Sequence, residues 1–353
     1  MIFLHIGLHK TGTKFLQKNI YPVLDSLGLI RYNPLRLTQL LVDLVKADYD
    51  DVDMVLKAVA QETNGAPDET TPTVISREAL AGDLFSFYSN AEDCYSRLAL
   101  ALPEARLIMV FRGPFKWLIS CYRESVHEHH YQSFAAFVSG KPSDKYVRPS
   151  IDLLDWSRLV ALARLYFPGE PVFLHHEDLV SDSRSFISRL LSELGVGPIR
   201  NVSFNLGATN NRGYSALAIL LSRARAKFLI WPLAGLVHRP IRFFGSGSIP
   251  AGFESVSVLP KSKYWGREWK RDNEEVRFDI GTNDSRARRP LSWLSWRTAM
   301  KRGLDRFVYV DWNVAGKLRG PLQLHFASQN ESFGGSLGVP TESLPEAYRP
   351  QRS

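Results

Sequence analysis

Ile2-Phe3-Leu4-His5-Ile6-Gly7-Leu8-His9-Lys10-Thr11-Gly12-Thr13-Lys14 is an apolar run, then a turn with two glycines five apart, then the start of a helical pattern. An apolar strand that turns at once into a helix opens a parallel-sheet unit, because a strand covered on both faces has no polar alternation. Glycines at such a turn let the backbone wrap close to an anion, and N–H groups at the helix start face it with the positive end of the dipole. The order differs from the Walker A pattern GxxxxGK[ST]. Both glycines fit, but Thr13-Lys14 follow Gly12, and a lysine stands earlier, at Lys10. A lysine inside the loop points its ammonium toward the bridging region of a phosphoanhydride-like group. The loop also lacks the hydroxyl position that would hold Mg²⁺ in a nucleoside triphosphatase. We expect a phosphate-cradling loop, with His9 beside it and His5 packed in the core.

Working outward, short apolar runs alternate with longer amphipathic segments. Strands are expected at Ile2–Ile6, Leu29–Tyr32, Thr73–Ser76, Arg106–Phe111 and Pro171–His175. Helices are expected at Thr13–Leu27, Leu40–Ala60, Leu84–Leu102, Phe115–Glu128, Asp155–Tyr166, Ser185–Leu194 and from Ser215 to about Arg225. This pattern requires an α/β fold, a three-layer parallel sheet covered on both faces. We place that core in residues 1–215 and a mostly helical, basic extension in 216–353, packed on the core and contributing to acceptor or membrane contact.

The second informative stretch is Arg106-Leu107-Ile108-Met109-Val110-Phe111-Arg112-Gly113-Pro114, leading to Ser120 in the following helix. An arginine at the carboxyl edge of a parallel strand lies where open α/β sheets bind ligands, and its planar fork suits a phosphate dianion. Here the chain resembles the sulfotransferases that use 3′-phosphoadenosine 5′-phosphosulfate (PAPS). Their loop of form K-[TS]-G-T-[TS] is matched by Lys10-Thr11-Gly12-Thr13. Their apolar strand followed by R-x-P, with a serine eight residues after the arginine, is matched by Arg112, Pro114 and Ser120. His176-Glu177-Asp178-Leu179 is similar to a strand-ending Tyr-Glu-Asp-Leu sequence of that family, and Asn211-Arg212-Gly213-Tyr214-Ser215 to a late segment that returns to the cofactor. The likeness spans about residues 1–215, with a faint echo from His325 to Asn330 and at Gly338. It implies a P-loop NTPase-like fold, with Lys10 and Thr13 on the 5′-phosphosulfate and Arg112 and Ser120 on the 3′-phosphate. His9, Thr11 and Gly12 would complete the cradle, and Arg212 and Gly213 are further candidates for the 3′-phosphate. Where the family has a second hydroxyl residue, this chain has Lys14, which either neutralises phosphate or points to solvent.

Sulfuryl transfer is mostly positioning plus charge stabilisation, and Lys10 is the residue expected to neutralise the leaving phosphate. An alcohol acceptor also wants a general base. Glu78, just after the Thr73–Ser76 strand, is one candidate, although it could equally be a helix-start carboxylate or a partner of Arg77. His127, two turns beyond Ser120 on the same helix, is the other. The cluster His127, His129, His130 has no matching carboxylate or cysteine spacing, so we expect no metal. The main expectation is transfer of a sulfuryl group from PAPS to a hydroxyl of a carbohydrate or glycolipid, with adenosine 3′,5′-bisphosphate as product. The rival readings are a P-loop nucleotide-dependent kinase, which wants an aspartate where Arg112 stands, and a non-catalytic anion- or membrane-binding protein.

Composition narrows the setting. The 353 residues, 44% of them apolar, exclude a disulfide miniprotein and a disordered chain. The net charge of +8 is unevenly spread: residues 212–320 hold 21 Lys and Arg against 9 Asp and Glu, and the remainder 23 against 27. The basic stretch suggests an anionic acceptor or surface, with Trp265, Trp269, Trp293 and Trp296 available to stack on sugars or to pack. No motif supports nucleic acid. Cys94 and Cys121 alone give no disulfide framework, which fits a reducing compartment. The N-terminus reads as the first strand and not as an export signal. The segment Phe228–Phe244 is broken by Pro232, His238, Arg239, Pro240 and Arg242, so it does not span a membrane. It reads as a buried helical hairpin or as a membrane-surface element, giving peripheral contact through 223–244. The expected location is the cytoplasm, with the inner membrane face as the site of any such contact.

Overall fold

The computed structural model describes residues 1–64, 70–127, 132–139, 151–197, 204, 214–225 and 313–349. Five strands form one parallel sheet among these residues: β1 (Ile2–His5), β2 (Arg31–Tyr32), β3 (Thr73–Ser76), β4 (Arg106–Phe111) and β5 (Val172–His175), in the order β2-β3-β1-β4-β5. β1 lies between β3 and β4, with Leu4 level with Ile75 on one side and Leu107 on the other.

Successive residues of each strand face opposite layers, which is why the strands read as continuous apolar runs. Phe3, Val74, Ile108, Val110, Val172 and Leu174 pack into one layer, against α1 (Thr13–Asn19), α2 (Tyr21–Ser26) and α10 (Ser183–Glu193). Leu4, Ile75, Leu107, Met109, Phe111 and Phe173 pack into the other. That layer is built from α3 (Leu35–Lys46), α5 (Ala91–Ala101), α6 (Pro114–His127), α8 (Trp156–Tyr166), α11 (Ala216–Arg225) and α12 (Arg319–Leu337). The sheet with a helical layer on each face is the three-layer α/β fold.

The chain leaves β1 into α1 on one face and leaves β4 into α6 on the other. A crevice therefore opens at the carboxyl ends of these two adjacent strands, where open α/β sheets take ligands. The loop after His5 and the turn at Arg112 both lie on that edge.

Several helix boundaries differ from the sequence expectation. The Thr13–Leu27 pattern breaks at Ile20, because Pro22 cannot continue an incoming helix but suits the first turn of a new one. The Leu40–Ala60 pattern is two helices, α3 and α4 (Val52–Asn64), separated by a 3₁₀ turn at Tyr49–Asp51. The α-helix does not begin at Leu84: after a 3₁₀ turn at Leu84–Ser86, Phe87 and Tyr88 take φ of 53° and 57°, which no right-handed helix accommodates. His176, expected to continue a strand end, opens the short helix α9 (His176–Ser181).

The C-terminal residues belong to the same core. Leu322, Phe326 and Phe333 of α12, with Leu344 and Tyr348 beyond it, join the cluster of Leu4, Leu107 and Phe111. No helix among the described residues is long and apolar enough to cross a membrane. His129, His130, Arg212, Gly213, the four tryptophans named above and all of 223–244 beyond Arg225 lie outside the described residues.

Candidate active site

The loop between β1 and α1 is built on two left-handed residues, Lys10 (φ 67°) and Gly12 (φ 90°). For Gly12 this conformation is free; for a lysine it costs on the order of 1 kcal/mol or more and must be held by neighbours. Four contacts hold it. His9 N–H donates to the Tyr88 hydroxyl at 2.8 Å, and His9 O accepts from Trp117 Nε1 at 2.7 Å. Lys10 O accepts from Arg112 at 3.0 Å. The Thr11 hydroxyl donates to Leu8 O at 2.5 Å. Gly7 has no room for a side chain, since a Cβ there would stand 2.3 Å from Thr13 Oγ1.

The threonine side chains face the interior. Thr11 and Thr13 are buried, and both hydroxyls turn inward to Leu8 O, Thr13 at 3.4 Å. They brace the loop. What the segment offers an anion is its backbone: the N–H groups of residues 10–14 find no backbone acceptor among the described residues. α1 is seven residues long, so the loop itself, more than a helix dipole, makes this concavity. Lys14, on the first turn of α1, is half-buried and makes no ion pair among the described residues.

Arg112 joins the two strand ends. Its backbone oxygen accepts from Trp156 Nε1 at 2.8 Å, and one of its terminal nitrogens holds Lys10 O, while its Nε is buried without a partner among the described residues. Burial lowers the pKa of this guanidinium, and Glu177 opposes that shift. The Glu177 carboxyl is itself pushed up by burial, against a hydrogen bond from Gly113 N–H at 3.2 Å. His176, beside Gly12, is lowered to about 3 by burial, with Arg112 and Lys116 adding to the effect.

On α6, Lys116, Ser120, Glu124 and His127 recur at helical spacing and form one stripe. The Ser120 hydroxyl has no hydrogen-bond partner among the described residues. Lys10 Nζ lies 2.8 Å from Glu124 Oε2, and the same oxygen is 3.8 Å from His127 Nδ1. His127 is buried, edge-on to Tyr214 at 4.9 Å between ring centres. Glu78 opens a 3₁₀ turn after β3 and stands 4.0 Å from His9 Nε2.

Beside Arg112, a groove of about 430 Å³ lies between α6, α12 and the terminal turn at Glu346–Tyr348. Among the described residues, Arg112, Lys116, Arg123, Arg319 and Arg349 line it with a single carboxylate, Glu346, over an apolar floor of Phe115, Ile119 and Phe326. The terminal turn seats directly on the strand-end turn, because a Cβ on Gly113 would meet Ala347 O at 2.7 Å. The described residues contain no cluster of His, Cys, Asp and Glu suited to a metal ion.

No protein-family model matches the chain, and no curated protein does. A crystal structure of a sulfotransferase from Alicyclobacillus acidocaldarius is similar at a TM-score of 0.41 and 15% identity, over 67% of this chain and 95% of that one. A likeness at this level carries no residue roles.

The structure thus brings His9, Lys10, Thr11, Gly12, Thr13, Arg112, Ser120 and His127 to one sheet edge, with Glu78 next to His9. Sequence reading missed Glu124, although it lies one turn after Ser120 and three residues before His127. It also missed Lys116, His176 and the C-terminal arginines; of these, the spacing on α6 could have found Lys116 and Glu124.

Proposed function

We propose that the chain is a sulfotransferase that takes a sulfuryl group from PAPS and places it on a hydroxyl of a carbohydrate or glycolipid. One observation carries this reading: Lys10 is held in a left-handed conformation by Arg112 across the β1–β4 crevice, above a run of uncommitted N–H groups. Strain maintained by so many neighbours has a use, and the use that fits the charge is an anion with two separated phosphates.

The residues present fit such a donor. Among the described residues, Arg112 has an unpartnered buried donor atom, Ser120 an unpartnered hydroxyl, and the adjoining groove five cations. In this reading the loop N–H groups and Lys10 hold the 5′-phosphosulfate, Arg112 and Ser120 hold the 3′-phosphate, and the nucleoside lies toward the groove. Arg212 and Gly213 remain candidates for that phosphate. The donor supplies an activated sulfuryl group. Lys10 neutralises charge on the departing phosphate oxygen, and the loop holds that phosphate still. The acceptor assignment rests on the cation-rich 212–320 stretch and its tryptophans, as does the proposed peripheral contact of a cytoplasmic protein with the inner membrane face through 223–244.

Calorimetry with adenosine 3′,5′-bisphosphate tests the reading. The wild-type chain should bind, and Lys10→Ala and Arg112→Ala should each weaken binding by at least ~10-fold, the loss of a charge-assisted hydrogen bond. Absence of binding, variants that bind like wild type, or a preference for Mg·ATP would discard it.

A further inference from the structure

Lys10 is not directed at open solvent. Its ammonium is paired with Glu124 at 2.8 Å, and Glu124 is in turn flanked by the buried ring of His127 at 3.8 Å. The Glu124 side chain is 21% exposed, against 5% for that of His127, so the carboxylate is the more reachable of the two from the crevice. Glu78, at the end of β3, borders His9 instead.

Building on the donor reading above, we propose that Glu124 is the catalytic residue that takes the proton of the acceptor hydroxyl. Lys10 can serve one anion well at a time. With the donor absent it pairs with Glu124. When an anionic phosphate claims the ammonium, that pair is weakened and the carboxylate becomes more basic at the moment a base is required. It is also confined there, between the lysine that holds the leaving group and a packed imidazole. In the step, the acceptor oxygen forms a bond to sulfur as the bond from sulfur to the bridging phosphate oxygen breaks. The hydroxyl proton passes to Glu124, and the electron pair of the broken bond stays on the phosphate oxygen beside Lys10.

Two variants of the full chain, Glu124→Gln and Glu124→Asp, test this with two readouts. Affinity for adenosine 3′,5′-bisphosphate is measured by calorimetry. Turnover is measured as release of that product from PAPS with water as the acceptor, which requires no knowledge of the natural one. Glu124→Gln should bind about two- to five-fold more tightly, because Lys10 no longer leaves an ion pair of ordinary strength. It should release product at least ~100-fold more slowly. Glu124→Asp, which keeps the carboxylate on a shorter arm, should recover part of the rate. A Glu124→Gln chain that turns over like wild type, or that binds the bisphosphate more weakly, overturns the assignment while leaving the donor reading intact. A wild-type chain that binds no bisphosphate overturns the donor reading and this proposal together.

Discussion

At Lys10, conformation and function pull apart. A left-handed lysine is a local strain that a glycine would relieve. Lys10→Gly should therefore leave unfolding free energy unchanged or raised by up to ~1 kcal/mol, by urea denaturation, while affinity for adenosine 3′,5′-bisphosphate falls at least ~10-fold, as for Lys10→Ala. If stability drops with affinity, the strain argument is wrong. His5 offers a second residue-level prediction. It is fully buried, its Nδ1 is 2.8 Å from Ser76 Oγ, its Nε2 has no partner among the described residues, and burial lowers its pKa to about 3. The folded pKa lies below the ordinary histidine value, so the unfolded chain binds the proton more readily. Stability is then full above about pH 6.5 and falls as pH drops from there toward 3, at up to ~1.4 kcal/mol per pH unit. Chemical denaturation at pH 7.5, 5.5 and 4.5 should show that slope, and a flat profile between these values would refute it.

Among the elements, α6 does the most to position the site. Its buried face carries Trp117, which packs against Tyr88 and Trp156 and donates to His9 O. The stripe beside it carries Ser120, Glu124 and His127. Trp117→Phe would keep most of the packing and remove the donor, leaving a buried carbonyl unpaired. The expected loss is about 1–3 kcal/mol in stability, with weaker bisphosphate binding. A variant that loses stability but keeps wild-type affinity would show that Trp117 does not set the loop. This element was partly legible beforehand. The run from Arg112 through Pro114 to Ser120 announced a strand, a turn and a helix, because proline at the first helical position and apolar periodicity are local signals. The turn at Phe87 and Tyr88 was not legible. Its apolar residues have helical spacing, and the left-handed backbone is imposed by distant partners, Arg158 on Tyr88 O and His9 on the Tyr88 hydroxyl.

For the molecule as a whole, the C-terminal segment closes one wall of the groove. Arg319 and Arg349 reach it from α12 and the terminal turn, more than two hundred residues after Arg112 in the chain. If they serve the donor's second phosphate, Arg319→Ala and Arg349→Ala should each weaken adenosine 3′,5′-bisphosphate by about 3- to 10-fold. Affinity for adenosine 5′-monophosphate should stay the same. Equal losses for both ligands would mean that the arginines only shape the groove. Phe326 tests the anchoring of that segment. It is 2% exposed, and Phe326→Ala should cost about 3–5 kcal/mol, measured as a lowered thermal midpoint.

The sequence by itself determined the parallel α/β sheet and the glycine turn after β1, and it singled out Lys10 and Arg112 as candidate ligands. All of these follow from near-neighbour patterns: apolar continuity, glycine spacing, and proline at a helix start. Only the tertiary structure decided that the Thr11 and Thr13 hydroxyls face inward. It also decided that Glu124 rather than Glu78 meets Lys10, and that Arg319 and Arg349 share a groove with Arg112. Those outcomes depend on which residues the β1–β4 crevice and the docking of α12 bring within a few ångströms, and separation along the chain carries no information about that distance.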